Sequence, residues 1–219
     1  MARAALTREQ RRALDRLIAA RPDPVVYLAE GCAVAVHLGH RRSRDLDLFS
    51  FAELSFEPYR ALTTSPDVAI LGETDAALSL RVGDVPVDIV RYPYPLVDPP
   101  IAGPGGAPTA GLRDLAAMKL AAIAKRGLRR DVSPESAGSA ANIWDLWAIA
   151  NAGVTLVEAG EVYKRRFGRS QADLYHVWRA LTFFDDAERE PVFPEGLSAR
   201  RWSTIRRFFE DAARELLPT

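Results

Sequence analysis

The amino-acid sequence predicts an α/β fold over residues 1–92, joined to an all-helical region over residues 112–219. Three observations lead to this fold class. Short β-branched runs separated by turn residues occur before position 92, which is typical of strands. A segment rich in proline and glycine follows over residues 93–111 and predicts a surface linker. From Leu112 onward, apolar residues recur at helical spacing.

The α/β region is predicted to begin with a helix and then to alternate between strands and helices. Thr7-Arg-Glu-Gln10 is a capping box, which predicts a helix that runs to about residue 20. Gly83-Asp84 predicts a tight turn between two strands. The other predicted elements are, in order, a strand over 25–29, a turn at 30–31, a buried helix over 32–38, a helix over 56–63, and strands over 67–71, 77–82 and 85–90.

The second half is predicted to contain five helices, over 112–126, 143–151, 156–167, 171–184 and 199–217. Residues 132–142 are rich in Ser, Ala, Gly and Pro and predict a loop between the first two. The aromatic residues of the last two helices recur at near-helical spacing, which favours core packing over base stacking. They are Tyr175, Trp178, Phe183, Phe184, Trp202, Phe208 and Phe209.

Composition indicates a compact cytoplasmic enzyme. The 29 basic and 29 acidic side chains cancel, so the chain has no global basic signal for nucleic acid. Local basic clusters at 41–44, 125–130, 164–169 and 200–207 predict solvated helix faces, or surfaces that guide an RNA backbone. The single cysteine excludes an intramolecular disulfide, and no apolar run has the length of a membrane span.

The segment Gly-His-Arg-Arg-Ser-Arg-Asp-Leu-Asp-Leu-Phe, residues 39–49, is the most informative part of the sequence. It places Asp45 and Asp47 two positions apart in a strand-like run. Because strand side chains alternate between faces, both carboxylates point to one side of the sheet. Neighbouring carboxylates repel each other unless a cation lies between them. The alternative interpretation is a strand end with solvated acids.

Asp88 lies at the centre of a β-branched run, where an acid is unfavourable unless it is paired or bound to metal. An ion pair with an arginine is one interpretation. The other is a third carboxylate beside Asp45 and Asp47, which is the arrangement that two-metal nucleotidyl transfer requires. Mg²⁺ bound jointly by carboxylates and substrate phosphates suits these hard oxygen ligands.

Lys119 is one of only three lysines, and it lies in an apolar helical stretch. A lysine in such a place either extends its ammonium group to the surface or neutralises an anion. A zinc site is not expected, because His176 has no cysteine or acidic partner at zinc spacing.

These residues resemble the AbiEii/AbiGii-type toxin nucleotidyltransferases, a branch of the polymerase-β-like superfamily. The resemblance is carried by G-x-A-x-A-x-x-L-G-H-R-x-S-x-D-L-D-L-F over residues 31–49 and continues through most of the chain. The later segments are VDIVRYPYP (87–95), RDLAAMKLAAIAKRG (113–127), WDLW (144–147) and LTFFDDAEREPVFP (181–194). It implies a polymerase-β-like mixed sheet and a helical half that completes the active site.

The resemblance also implies roles for individual residues. Asp45, Asp47 and Asp88 become metal ligands, with Ser43 near the nucleotide phosphates. Lys119 becomes the phosphate-binding cation, and either Asp145 or Asp131 completes the site, with Asp145 favoured for its apolar helical surroundings. The other residues implied in substrate binding are Gly31, His40, Arg41 and Arg42.

The chain departs from the family pattern at Glu30 and Cys32, where small residues are usual. Glu30 would add negative charge near the phosphates, and Cys32 is expected to be a small buried residue, or else a thiol with a pKa lowered by a helix N-terminus. The implied function is Mg²⁺-dependent transfer of NMP from an NTP to an RNA, at a tRNA 3′ end, by a toxin with a cognate antitoxin or a phage-defence protein. The alternatives are a nucleotidyltransferase that modifies a protein or small molecule, and an inactive homologue that binds nucleotide or RNA.

Overall fold

A computed structural model of the chain describes residues 6–20, 26–126, 139–189 and 193–217. These residues form two compact units that divide between Gly111 and Leu112. Among the described residues, no helix combines the length and the apolar character needed to cross a membrane.

The first unit consists of a sheet and its helices. The helices described in it are α1 (Arg8–Ala20), α2 (Glu30–Leu38) and α3 (Glu57–Arg60), and a 3₁₀ turn at Ala61–Thr64 follows α3. The strands are β1 (Tyr27–Leu28), β2 (Leu46–Ser50), β3 (Val68–Glu73), β4 (Ala77–Val82), β5 (Val85–Arg91), β6 (Ile101–Ala102) and β7 (Pro108–Thr109).

The seven strands form one mixed sheet in the order β3-β4-β5-β2-β1-β7-β6. β2 pairs with β5, and β1 with β7, in parallel orientation, and the other neighbouring strands are antiparallel. Parallel neighbours require a long crossover, which α3, β3 and β4 supply between β2 and β5. The predicted α/β class with a mixed sheet is confirmed.

Several boundaries in this unit differ from the predicted ones. α2 begins at Glu30, so the turn predicted at Glu30-Gly31 is instead the first turn of the helix. The helix predicted over 56–63 is split into α3 and a 3₁₀ turn. Part of the predicted 93–111 linker belongs to the sheet, because β6 and β7 pair with each other and β7 pairs with β1.

The second unit, as far as it is described, is helical. Its helices are α4 (Leu112–Arg126), α5 (Ser139–Asn151), α6 (Leu156–Phe167), α7 (Gln171–Ala180), α8 (Asp185–Glu188) and α9 (Ala199–Leu216). The helix predicted over 171–184 ends at Ala180, before α8. The loop predicted over 132–142 overlaps the start of α5 from Ser139, and its earlier residues lie outside the described part of the chain.

The core of the helical unit contains most of the aromatic residues assigned to it. Trp178, Phe184, Trp202 and Phe209 are buried, as predicted. Gly160 lets α6 approach α7, since a Cβ there would lie 2.8 Å from the Trp178 ring. The prediction is wrong for Tyr175 and Phe183, which are 40% and 50% exposed.

Candidate active site

The two carboxylates of the Asp-Leu-Asp segment lie at the start of β2. Asp45 directly precedes the strand and Asp47 is its second residue. Both are half-buried, whereas Leu46 and Leu48 on the opposite face are fully buried. The alternation is the predicted one, and it leaves the acids on the more open face of β2.

Asp88 on β5 is the direct partner of Asp47 in the parallel β2–β5 ladder. Neighbouring strands lie about 4.8 Å apart, and paired residues project to the same face. The backbone therefore brings the acids of two segments 41 positions apart (88 minus 47) side by side. Asp45 lies two residues before Asp47, in the bend that leads into β2.

A serine hydroxyl donates a hydrogen bond to each of the two outer carboxylates. The Ser43 Oγ lies 2.7 Å from the Asp45 Oδ1. The Ser79 Oγ on β4 donates to the Asp88 Oδ1. Sequence reasoning missed Ser79, although the two-residue turn at Gly83-Asp84 could have placed it. With that turn, the antiparallel register sets Ser79 opposite Asp88.

Gln10 was also missed as a residue of this region. Its amide oxygen accepts from the Thr7 backbone N–H at 2.9 Å, and the Thr7 hydroxyl accepts from the Gln10 N–H at 3.1 Å, which completes the predicted capping box. The amide nitrogen of the same side chain, Nε2, donates to the Ser43 carbonyl oxygen at 2.9 Å. Gln10 therefore couples the start of α1 to the segment that precedes Asp45.

The first turn of α2 lies next to Asp47. The Ala29 backbone N–H donates to the Asp47 carbonyl oxygen at 2.9 Å, and α2 starts at the following residue. Glu30 adopts φ of 50°, a left-handed conformation that costs a residue with a Cβ about 1–2 kcal/mol. The departure from the small residue of the family pattern therefore falls at a backbone position that favours glycine.

Gly31 and Cys32 are buried in this turn. Burial raises the pKa of the Cys32 thiol well above its usual value, and the nearby Asp47 carboxylate raises it further. The expectation of a small buried residue is confirmed. The alternative of a lowered thiol pKa at the helix N-terminus is wrong, because desolvation and negative charge outweigh the helix.

The basic turn before β2 is partly open to solvent. His40 and Arg41 are half-buried and Arg42 is exposed. The Arg41 guanidinium donates to the Arg42 carbonyl oxygen at 3.0 Å. The substrate-binding role that the sequence gives these three residues, and Gly31, stays a prediction.

The carboxylates at the start of β2 and in the middle of β5 are of a type that suits Mg²⁺, which prefers carboxylate oxygen. The backbone register fits such a site in part, since Asp47 and Asp88 are paired on adjacent strands and Asp45 lies just before β2. As the side chains are placed, no group of three or more His, Cys, Asp or Glu residues in the described ranges forms a metal-binding cluster. The Asp45 and Asp88 carboxylates instead accept the serine hydrogen bonds.

Lys119 and Asp145, in the helical unit, form a buried pair with each other. The Lys119 Nζ lies 3.4 Å from the Asp145 Oδ2, and both side chains are 0% exposed. The same ammonium donates to the Asn142 Oδ1 at 2.9 Å. The sequence left two interpretations of Lys119, an ammonium group extended to the surface or one that neutralises an anion. The second describes this contact, and the anion is Asp145. The catalytic roles predicted for both residues stay predictions, and Asp131 lies outside the described residues.

A second buried ion pair joins α4 to α6. The Arg166 Nη1 lies 3.0 Å from the Asp114 Oδ1 and 3.4 Å from the Asp114 carbonyl oxygen, and both side chains are fully buried. α4 thus carries one buried acid and one buried base, each matched by an opposite charge from another helix.

Comparison with known proteins found a similar sequence and similar solved structures. The chain is 29% identical over 217 residues to "Uncharacterized protein aq_aa25" of Aquifex aeolicus (strain VF5), a match that covers 97% of this chain and 98% of that protein. No protein-family model matches the sequence. Membership of the AbiEii family is therefore not confirmed.

The crystal structure of ANT(2'')-Ia in complex with adenylyl-2''-tobramycin matches with a TM-score of 0.51 and 15% identity, over 73% of this chain and 98% of that one. ANT(2'')-Ia is a polymerase-β-like nucleotidyltransferase. The chain has the same fold. A solution structure of ANT(2'')-Ia covers 76% of this chain and 96% of its own, with a TM-score of 0.49 and 16% identity. At 15% identity the similarity concerns the fold. The chemistry is inferred from the residues of this chain.

Proposed function

We propose that the chain is a Mg²⁺-dependent nucleotidyltransferase that transfers NMP from an NTP to an acceptor hydroxyl group. The observation that carries this proposal is the pairing of Asp47 with Asp88 on adjacent parallel strands, with Asp45 two residues before Asp47. Like charges brought side by side on a sheet are unfavourable without a cation. The fold is one in which a nucleotidyltransferase is known.

Each carboxylate has a stated task in this proposal. Asp45 and Asp47 would hold the cation that binds the triphosphate, and Asp88 would share a second cation beside the acceptor hydroxyl. Bound Mg²⁺ would neutralise the charge that develops on the phosphate oxygens. The sequence resemblance assigns Ser43 to the nucleotide phosphates, and its hydroxyl donates to the Asp45 Oδ1.

The proposed reaction exchanges one phosphorus–oxygen bond for another. The acceptor oxygen forms a bond to the α-phosphorus of the NTP, the bond from that phosphorus to the bridging oxygen of the β-phosphate breaks, and pyrophosphate leaves. The acceptor hydroxyl loses its proton in the same step. The chain's own contribution is to align these groups and to place negative charge where the cations bind.

For the acceptor, we propose the 3′ end of an RNA, with tRNA as the first candidate and a toxin–antitoxin or phage-defence setting with a cognate antitoxin. The support is the sequence resemblance over residues 31–49 and the exposed arginines of several helices. Arg200 and Arg207 lie two turns apart on one face of α9, both exposed. Exposed arginines at such spacing provide non-specific attraction to a phosphate backbone.

A small-molecule acceptor is the second candidate, and one observation favours it. The protein that shares the fold, ANT(2'')-Ia, was crystallised with adenylyl-2''-tobramycin. An acceptor pocket for a hydroxylated small molecule is therefore compatible with this fold. A third candidate is a nucleotide-binding or RNA-binding homologue without activity, for which Glu30 at the start of α2 is the relevant departure.

The test is incubation of the purified chain with each α-³²P-labelled NTP, Mg²⁺ and either total RNA or a set of aminoglycosides. Label in RNA would support the first candidate, and label in a small molecule the second. Asp47→Asn should abolish either product, whereas Asp84→Asn should not, because Asp84 is an exposed acid in the β4–β5 turn. Absence of label from the wild-type chain with every acceptor, together with absence of Mg²⁺-dependent NTP binding, would contradict the proposal.

A further inference from the structure

Ser79 has a position that neither the sequence resemblance nor the comparisons assign to a functional residue. It lies on β4, directly opposite Asp88 on β5, and Asp88 in turn lies beside Asp47 on β2. These three residues therefore form one row across adjacent strands of the sheet, in the order Ser79, Asp88, Asp47. The Ser79 hydroxyl donates to the Oδ1 of Asp88, and no other hydrogen bond to the Asp88 carboxylate is found in the described part of the chain.

Ser43 makes the same kind of contact with Asp45. We call Asp45, Asp47 and Asp88 the acid cluster. The Ser43 hydroxyl donates to the Oδ1 of Asp45 at 2.7 Å, and the Ser43 side chain is buried, with 6% exposure. Its backbone is fixed as well, because the buried Gln10 side chain donates to the Ser43 carbonyl oxygen. The two serines reach the cluster from different segments, and each bonds only one oxygen of its carboxylate.

We propose that Ser79 is a positioning residue for Asp88, and Ser43 for Asp45, each holding one carboxylate oxygen so that the other is presented to the cation. This inference rests on the proposed function. It also adds a task for Ser43, which the sequence resemblance placed near the nucleotide phosphates. Neither serine is required to contact the substrate.

The physical reason is the cost of ordering a flexible ligand. A free carboxylate rotates about its side-chain bonds, and a cation must stop that rotation when it binds. Ligating carboxylates are in general hydrogen-bonded by neighbouring groups, and removal of such a group lowers metal affinity or activity about 10- to 100-fold. A neutral hydroxyl suits the task because it orients the carboxylate and leaves its charge for the metal.

The experiment measures Mg²⁺ and Mn²⁺ affinity by calorimetry on the purified chain without nucleotide, so that binding is read independently of activity. The variants are Ser79→Ala, Ser43→Ala and Ser79→Thr, where the threonine keeps a hydroxyl at a strand position. Ser50→Ala is the matched control, because Ser50 is a fully buried serine of β2 whose hydroxyl donates to the Ala52 carbonyl oxygen and not to a carboxylate. Thermal unfolding in EDTA reports any loss of folding.

We expect Ser79→Ala and Ser43→Ala to lower the metal affinity about 10- to 100-fold, Ser79→Thr to restore most of it, and Ser50→Ala to leave it unchanged. In transfer assays kcat should fall more than the KM for NTP rises. Unchanged or increased affinity in both alanine variants would overturn the inference and leave the proposed function intact. If Asp47→Asn binds Mg²⁺ as tightly as the wild-type chain, the proposed function fails, and the inference fails with it.

Discussion

The buried charged side chains of the helical unit and the acids of β2 and β5 in the sheet unit differ in the kind of partner that they contact. In the helical unit, Lys119 lies against Asp145, and Arg166 against Asp114, and all four side chains are fully buried. In the sheet unit, Asp47 and Asp88 are paired on adjacent strands and Asp45 lies just before β2, all three are half-buried, and serine hydroxyls donate to Asp45 and Asp88.

A buried ion pair and a group of neighbouring acids respond in opposite ways to the loss of one charge. A buried ion pair is neutral as a whole, so removal of one partner leaves an uncompensated charge in the core. A group of like charges is the reverse case, because removal of one member relieves repulsion. Functional clusters in enzymes are often of the second kind, since the charge balance is completed only by substrate or metal.

The largest expected effect is in the helical unit. Asp145→Ala should lower the free energy of unfolding by about 3–5 kcal/mol, because Lys119 stays buried without its counter-charge. Urea denaturation measures this loss. The double variant Lys119→Met/Asp145→Leu should recover much of it, and Asp211→Ala, in an exposed ion pair with Arg214, should cost no more than about 1 kcal/mol. If Asp145→Ala lowered the free energy of unfolding by less than about 1 kcal/mol, as expected for an exposed pair, the contrast between the buried ion pairs and the acids of the sheet unit would be wrong.

The next effect concerns the link between α1 and the acid cluster. Gln10→Leu should cost about 1–3 kcal/mol, because it leaves the Ser43 carbonyl oxygen without this buried donor. The loss should be accompanied by weaker Mg²⁺ binding, since Ser43 carries the hydroxyl that holds Asp45. Gln171→Leu is the control, because Gln171 is exposed and only accepts from Lys164. If Gln10→Leu binds Mg²⁺ as tightly as the wild-type chain, the position of Ser43 does not depend on the hydrogen bond from α1.

A smaller effect, with the opposite sign, is expected in the acid cluster. In EDTA, Asp47→Asn should leave the free energy of unfolding within about 0.5 kcal/mol of the wild-type value or raise it, because one of three like charges is removed. Mg²⁺ should raise the thermal midpoint of the wild-type chain and not that of the variant. Differential scanning calorimetry with and without Mg²⁺ measures both. A clear destabilisation in EDTA would indicate that Asp47 contributes to the stability of the metal-free fold.

The smallest effect concerns an exposed acid that is also held by neutral donors. The Thr155 backbone N–H, and then its hydroxyl, hold the pKa of Glu158 below its usual value of 4.5 at the start of α6. A lowered pKa means that this stabilisation is present above the unfolded-state pKa and is lost as the pH falls through the folded-state pKa. Glu158→Gln should therefore lower the thermal midpoint slightly at pH 7, and the difference from wild type should shrink as the pH falls below 4.5 through the folded-state pKa. If the difference in thermal midpoint between Glu158→Gln and the wild-type chain grew as the pH fell, the prediction would be wrong.

The strands around the acids could be predicted from sequence because their signals are local. β4 has the predicted bounds and β5 extends one residue beyond them, since β-branched runs flank a two-residue turn at Gly83-Asp84. The sequence predicted Asp88 as a third carboxylate beside Asp45 and Asp47, but not its parallel pairing with Asp47, because local pattern does not specify which distant strands become neighbours. Ser79 was within reach of sequence reasoning through the turn register and was overlooked.

Other features had no local signal. The left-handed backbone of Glu30 cannot be anticipated from a residue type that rarely adopts it. The partner of Lys119 comes from another helix, and helical periodicity places a residue on a face without identifying what it meets there. Tyr175 and Phe183 follow the core spacing of their neighbours and are nevertheless exposed: Tyr175 lies on an exposed side of α7, and Phe183 lies after the end of α7, where helical periodicity no longer applies.

The parallel pairing of β2 with β5 also has a consequence for the order in which the site forms during synthesis. When residue 50 has left the ribosome, the chain already carries Asp45 and Asp47, but β5 has not been made, and β2 has only its antiparallel neighbour β1. The β4–β5 hairpin can form locally within microseconds, whereas the β2–β5 ladder must close a loop of some forty residues. A nascent or truncated chain that ends before β5 therefore contains the conspicuous Asp-Leu-Asp motif and lacks Asp88, which pairs with Asp47 only when the sheet is complete.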